Sequence, residues 1–332
     1  MSPTVFQHVG IVGAGAFGTA LALTAARAGR RVTLFARDPD QAAAINDLHE
    51  NPRALRGCAL DKAIRGTADL AALGACAVVI LALPMQATRS LAEALALCLR
   101  PGAPVIAAAK GIERETLLFA TELAQDLMPD RPAAVLSGPS FAADIAAGLP
   151  TAVTLAAADA LLAQALAQAL TAPAFRIYHS TDVRGVEIGG AAKNVLAIAA
   201  GVVAGRGLGD SARAAIATRG FAELRRFGAA YGARPETLMG LSGLGDLMLT
   251  CASPQSRNYA LGLRLGGGMG VAEALAAGKL AEGAATASAL MELAKARGVD
   301  LPISGMVDAL LQGWVTVEGA LEALMSRPLK EE

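Results

Sequence analysis

The hydrophobic positions change rhythm once along the chain. Up to about residue 180, short runs of apolar residues alternate with longer stretches of helical periodicity. His8-Val9-Gly10-Ile11-Val12 predicts a strand, followed by a glycine turn and a helix over about 17–28. Further strands are expected at 31–36, 77–82 (ended by Pro84), 104–108, 133–136, 151–156 and 175–178, with helices near 86–99, 115–127 and 160–170. Alternation at this spacing predicts an α/β fold, a doubly wound parallel sheet with right-handed crossovers. From Val183 onward no period-2 run appears, and helical stretches separated by glycine continue to the end. The expected organisation is therefore two domains, 1–182 and an all-helical 183–332.

Composition narrows the function classes. A chain of 332 residues can bury two sizeable cores. It carries 29 Lys and Arg against 29 Asp and Glu, so it lacks the basic excess that nucleic-acid or polybasic membrane binding needs. Local cationic clusters can still hold a small anion. Cys58, Cys76, Cys98 and Cys251 have no CxxC spacing and no neighbouring histidines, which predicts buried thiols in a reducing compartment and no metal site. Met1-Ser2-Pro3-Thr4 lacks a signal peptide's basic start, and the weakly polar stretch 195–205 is shorter than the ~20 residues of a membrane helix. A cytoplasmic protein without a membrane-spanning segment is expected.

The glycine turn after the first strand reads Gly13-Ala14-Gly15-Ala16-Phe17-Gly18. In a Rossmann-type domain, the first glycine of GxGxxG permits the tight turn and the second lets the backbone approach a pyrophosphate. The third allows close helix–strand packing, with the helix N-terminus facing the phosphates. An NAD-selective site places an acid at the end of the second strand. Here Arg37 occupies the region where a 2′-phosphate would be gripped, and Asp38 falls past the turn. NADP is favoured over NAD, with dual use open.

Chemistry for the second substrate comes from four further segments. Lys193 sits in a helix of small apolar residues, sharing a face with Val186, Gly189, Gly190, Ala197 and Ala200. None covers it or offers it a countercharge. Consecutive mid-helix glycines cost roughly 1 kcal/mol each, so something is expected to approach this backbone. A desolvated ammonium has a lowered pKa, suited to acid–base work near neutrality. The three histidines, His8, His49 and His179, each have a structural role available. Lys110 ends a strand, where it could polarise a substrate oxygen or hold a phosphate. Gly138 and Ser140, in Ser137-Gly138-Pro139-Ser140, offer a hydroxyl and free backbone N–H groups. Asp246 lies in an apolar stretch and should bond a hydroxyl or a cation. Ser256-Arg257-Asn258 supplies a hydroxyl, a guanidinium fork and an amide, a set that suits a phosphate ester better than a bare carboxylate, although arginine serves both.

In order, the runs GAGAFGTALA, AAAKGIE, SGPSFA, EIGGAAKNVLAIAAG, TRGFAEL, TLMGLSGLGDLMLTC, SRN and AEGAATA resemble the bacterial type of NAD(P)-dependent glycerol-3-phosphate dehydrogenase, from residue 13 to about 287. The resemblance implies a nucleotide-binding domain followed by a helical substrate domain. It also implies a homodimer, and interconversion of sn-glycerol 3-phosphate and dihydroxyacetone phosphate for glycerophospholipid synthesis. By the same resemblance Lys193 is the acid/base, and Lys110, Gly138, Ser140, Asp246, Ser256, Arg257 and Asn258 surround the substrate. Phe17, Arg37, Lys110, Ala142, Arg257, Leu280 and Glu282 contact the cofactor, beside Gly13, Gly15 and Gly18. Ala16 departs from relatives that carry a hydroxyl or aromatic side chain there.

Overall fold

The structure, a computed structural model, describes residues 6–328; Met1–Thr4, inspected above for a leader, lie outside the described residues. The chain divides into two compact units, Met1–Lys110 with Leu118–Glu187 and Gly111–Leu117 with Ile188–Glu332.

The first unit holds β1 (His8–Val12), α1 (Ala16–Arg27), β2 (Arg31–Phe35), α2 (Pro39–Asp47), β3 (Ile64–Thr67), β4 (Val78–Leu81), α3 (Thr88–Ala96), β5 (Val105–Ala107), α4 (Ala120–Leu127), β6 (Ala133–Ser137), α5 (Ala142–Ala146), β7 (Thr151–Ala157), α6 (Ala160–Leu170) and β8 (Phe175–Ser180). One eight-stranded sheet runs in the order β3-β2-β1-β4-β5-β6-β7-β8. Successive side chains of a strand point to opposite faces, and both faces are apolar here. Val9, Ile11, Val78 and Ile80 join a core with α1 and α6, whereas Val12, Val79 and Leu81 join another with α3 and α4. Burial on both faces is what a parallel sheet flanked by helices requires.

The expected sheet is found with three differences. First, β7 runs antiparallel to β6. The link between them holds only the five-residue α5, which rises about 7.5 Å and cannot carry the chain back along a strand of ~17 Å. Second, β3 and α2 were not expected: β3 is a four-residue edge strand containing Arg65 and Gly66, and α2 buries only Ala42 and Ile45, although Asp38 and Pro39 mark its start. Third, the helix expected over 115–127 starts only at Ala120, because Leu117 adopts φ +61°.

The second unit is helical among the described residues, as its glycine-punctuated pattern predicts. α7 (Val183–Gly205) enters it at Ile188, followed by α8 (Gly209–Ala230), α9 (Pro235–Met239), a π-helical turn at 241–245, α10 (Asp246–Ala252), α11 (Arg257–Gly266), α12 (Val271–Ala276), α13 (Glu282–Ala296), α14 (Pro302–Leu311) and α15 (Val317–Met325). α7 is longer than the apolar stretch at 195–205 and by length and hydropathy could cross a membrane, but 83% of its apolar window is buried inside the molecule. It is a core helix. Glycines let it pack at backbone distance. A Cβ on Gly201 would lie 2.1 Å from the carbonyl oxygen of Tyr259, and one on Gly262 would lie 2.1 Å from that of Ile198. The α7–α11 crossing therefore has no room for a side chain at either position.

Candidate functional site

In the first unit, strand order reverses between β1 and β4, the kind of switch point where open α/β sheets bind ligands. The glycine turn lies there, and two of its three glycines are demanded by protein neighbours. Gly13 has φ +110°, and a Cβ on it would meet the Ala82 carbonyl oxygen at 2.6 Å. A Cβ on Gly18 would lie 1.9 Å from the Gly13 carbonyl oxygen, so that glycine permits helix–strand contact. Around Gly15 no protein atom comes within 4 Å of the position a Cβ would take. The fold itself does not require glycine at 15, whereas a phosphate brought against the backbone does. Gly15 is also the N-cap of α1 and makes no side-chain cap bond to the helix. These residues fit a dinucleotide.

Phe17 is half-buried and packs on the α1 side of the sheet. Arg37 is exposed just past β2, and Asp38 caps α2 through bonds from the N–H groups of Asp40 and Gln41. Farther along the sheet, Lys110 follows β5 and donates from Nζ to the Gly138 carbonyl at 2.8 Å. Ser140 Oγ donates to the same oxygen at 2.8 Å. Gly138 holds φ +145°, with Val153 Cα 2.9 Å from where a Cβ would be. Lys110, Gly138 and Ser140 are thus gathered by one carbonyl, and Ala142 opens the short α5 just beyond them.

In the second unit Lys193 is buried at 6% exposure. Its Nζ lies 3.0 Å from Oδ1 of Asp246 and 2.8 Å from Oγ1 of Thr250. The expectation of an uncompensated ammonium is corrected here: α10 supplies the countercharge that α7 lacks. Asp246 bonds a cation and lies beside a hydroxyl, since Thr250 Oγ1 is 3.3 Å from its carboxylate and donates to its carbonyl at 2.6 Å. What approaches the backbone at Gly189 is the π-helical turn, whose Ser242 carbonyl oxygen lies 2.4 Å from the position of a Cβ there. Cys251 adjoins this cluster, but burial pushes its thiol up to about 12, against the pull of Lys193, so it packs as a neutral group.

Ser256-Arg257-Asn258 turns out to be a divided set. Ser256 is the N-cap of α11, accepting from the Tyr259 N–H. Asn258 is buried; its Nδ2 donates to Asn194 Oδ1 at 2.9 Å, and its Oδ1 accepts from the Gly283 N–H at 2.8 Å. Only Arg257 is exposed. The Asn258 amide ties the start of α11 to α7 beside Lys193 and to the first turn of α13, where Glu282 sits next to the exposed Leu280. Sequence reasoning missed Asn194 and Thr250. Each had a signal, since Asn194 follows Lys193 and Thr250 lies one turn after Asp246 on a helix.

Comparison with known proteins shows the family. The N-terminal model of NAD-dependent glycerol-3-phosphate dehydrogenase matches residues 8–163, and its C-terminal model matches residues 182–322. The chain belongs to the NAD-dependent glycerol-3-phosphate dehydrogenase family. Within that family it is 60% identical over 329 residues to a glycerol-3-phosphate dehydrogenase [NAD(P)+] of Bradyrhizobium sp. strain BTAi1, covering 99% of each chain. A relative of the same description from Azorhizobium caulinodans is 57% identical over 329 residues, again covering 99% of each. The crystal structure of glycerol-3-phosphate dehydrogenase from Coxiella burnetii superposes with a TM-score of 0.91 at 34% identity, covering 97% of this chain and 99% of that one. A ketopantoate reductase from Ralstonia eutropha shares the fold at a TM-score of 0.58 and 19% identity.

Proposed function

We propose that this family member is a cytoplasmic, homodimeric dehydrogenase interconverting sn-glycerol 3-phosphate and dihydroxyacetone phosphate with NADP or NAD, NADP being favoured, and that it supplies glycerophospholipid synthesis. The observation that carries the reading is the buried Lys193 ammonium held between Asp246 and Thr250, in a chain of this family. Gly13, Gly15, Gly18, Phe17, Arg37 and Ala142 would hold the cofactor, with Arg257, Leu280 and Glu282 from the helical unit. A bound reduced nicotinamide supplies the two electrons that reduce the C2 ketone.

Lys193 donates a proton from Nζ to the alkoxide forming at C2, and in the oxidative direction the neutral amine takes it back. Asp246 fixes the position of that nitrogen and favours its charged form before proton transfer. Thr250 accepts one of its three N–H bonds, which limits the directions left for substrate. Lys110 stabilises charge on the same oxygen, in the manner of preorganised donors at a developing anion. Arg257 grips the substrate phosphate together with backbone N–H groups at the start of α11; Ser256 and Asn258 in the helical unit and Gly138 and Ser140 in the first unit are the remaining substrate residues.

The test is the fall in reduced-nicotinamide absorbance with dihydroxyacetone phosphate, compared with a keto acid that lacks the phosphate. Turnover of the phosphorylated ketone alone, faster with NADPH than NADH, is expected. Preference for the keto acid would reject the substrate, and absence of turnover despite tight cofactor binding would reject the enzyme reading.

A further inference from the structure

Beside the glycine turn, the first unit carries an open pocket of about 460 Å³ lined by Arg37, Asp38, Pro39, Gln41 and Arg53. Four of these follow β2 directly. Arg53 arrives from a loop that the reading of the sequence did not connect to the cofactor. It is tied in at both ends. Its Nη1 pairs with Asp38 Oδ2, and its backbone N–H donates to Asn51 Oδ1 at 3.3 Å. Asn51 is fully buried. Its Nδ2 donates to the Ala14 carbonyl at 3.0 Å, inside the glycine turn, and lies 2.8 Å from Thr19 Oγ1 on α1. Gln41 closes the network, donating from Nε2 to Ala14 O at 2.8 Å and to Asn51 Oδ1 at 2.9 Å. The loop that carries Arg53 is therefore fastened to the phosphate-binding turn by buried side-chain bonds. Its flanks hold His49 at φ +47° and Leu55 at φ +60°, a left-handed conformation that non-glycine residues keep only where surrounding contacts impose it.

The carboxylate in this pocket is not arranged as a ribose acceptor. Asp38 Oδ1 accepts from the α2 N–H groups and Oδ2 from Arg53. Desolvation acts against its ionisation, but those N–H groups and Arg53 together outweigh it and hold the carboxyl below its ordinary value. An NAD-selective site needs such an acid to receive the 2′-hydroxyl. Here the acid is spent on a helix cap and on orienting an arginine. Arg53 has five N–H donors, so one ion pair leaves capacity for a dianion. Arg37 lines the same five-residue pocket.

We propose that Arg53 is a specificity-determining residue for the 2′-phosphate of the cofactor's adenosine, forming with Arg37 a two-arginine clamp that Asp38 and Asn51 hold in place. The proposal rests on the dinucleotide reading of the glycine turn and extends it to a residue on a separate loop.

Calorimetric titration of the full-length protein with NADP and with NAD, in the absence of substrate, tests it. Arg53→Gln is expected to weaken NADP at least ~10-fold, the effect of losing one charge-assisted bond, while NAD stays within ~2-fold. Arg53→Lys, which keeps the charge but not the fork, is expected to lose less. The Arg53 side chain is 55% exposed, so the variants should keep the wild-type unfolding midpoint. An NADP affinity within ~2-fold of wild type, or equal losses for the two cofactors, would overturn the role of Arg53 and leave the dehydrogenase standing. Failure of the wild-type protein to bind either cofactor would remove the dinucleotide reading and this clamp with it.

Discussion

The two units place their charged side chains in opposite ways. In the first, the glycine turn exposes backbone at Gly15, and the cations beside it, Arg37 and Arg53, stand at the surface. In the second, the cation is sealed, with Lys193 at 6% and Asp246 at 1% exposure. Exposed charges are screened by water and salt, so each contributes modestly and can be changed singly. A buried ion pair behaves as one object, because removing either partner leaves an uncompensated charge in the interior. The surface cations of the first unit should therefore be tunable residue by residue, while the Lys193–Asp246 pair should fail as a whole.

That contrast is sharpest at Lys193. Lys193→Met is expected to lower turnover at least ~10²-fold, the low end for an acid–base group. It should also cost about 3–5 kcal/mol of folding stability through the stranded Asp246. The double variant Lys193→Met/Asp246→Leu should recover most of that stability and none of the turnover. Urea unfolding beside steady-state kinetics measures both. A single variant as stable as the parent would show that the pair does not act as a unit.

A buried carboxyl in the first unit makes an instructive exception to its tunable character. Glu187 is buried, accepting from the Thr121 N–H at 2.8 Å with Arg184 Nη1 3.7 Å away. Burial pushes its carboxyl up to about 7, although the Thr121 N–H and Arg184 pull it down. The folded state then holds a proton that the unfolded chain releases near its ordinary value. The stabilising contribution is complete below about 4.5 and is lost as pH rises through about 7. Glu187→Gln, which keeps an oxygen for Thr121, should flatten the fall in stability across that window, by an amount on the order of 3 kcal/mol at most. Unfolding midpoints from pH 4 to about 8 measure it, and an unchanged slope would show that Glu187 is ionised throughout.

The smallest effect is expected at Gly15. With no protein atom near its missing Cβ, Gly15→Ala should leave the unfolding midpoint close to wild type while weakening both NADP and NAD about tenfold, near 1.4 kcal/mol. Gly18→Ala is the control: its Cβ would fall 1.9 Å from Gly13 O, so it should damage the fold itself. Calorimetry with both nucleotides, beside thermal unfolding, separates the two. Loss of stability at Gly15 would mean that the fold, and not a ligand, requires that glycine.

Much of this molecule was legible from local pattern. The strands β1 and β4 and the helix α6 follow from apolar runs and periodicity, because burial on two faces leaves a continuous signature. β3 was invisible: Arg65 and Gly66 interrupt it, and its identity as a strand comes from pairing with β2. Arg53 likewise carried no mark, since its link to the glycine turn runs through the buried amide of Asn51.

What the sequence determined by itself is the set of chemical groups and the local backbone: a GxGxxG turn between strand and helix, an arginine after β2, a lysine in a small-residue helix and a glycine-separated helical half. Only the tertiary structure decided which of these groups meet. Lys193 finds its countercharge 53 residues away, and Asn258 becomes a clamp between α7 and α13 while Arg257 beside it stays exposed. It also made Asp38, which the sequence places past the turn, the partner of Arg53. The physical reason is range. Periodicity and turn chemistry act over a few residues, whereas the stability of a buried charge depends on the groups that folding brings within hydrogen-bonding distance of it.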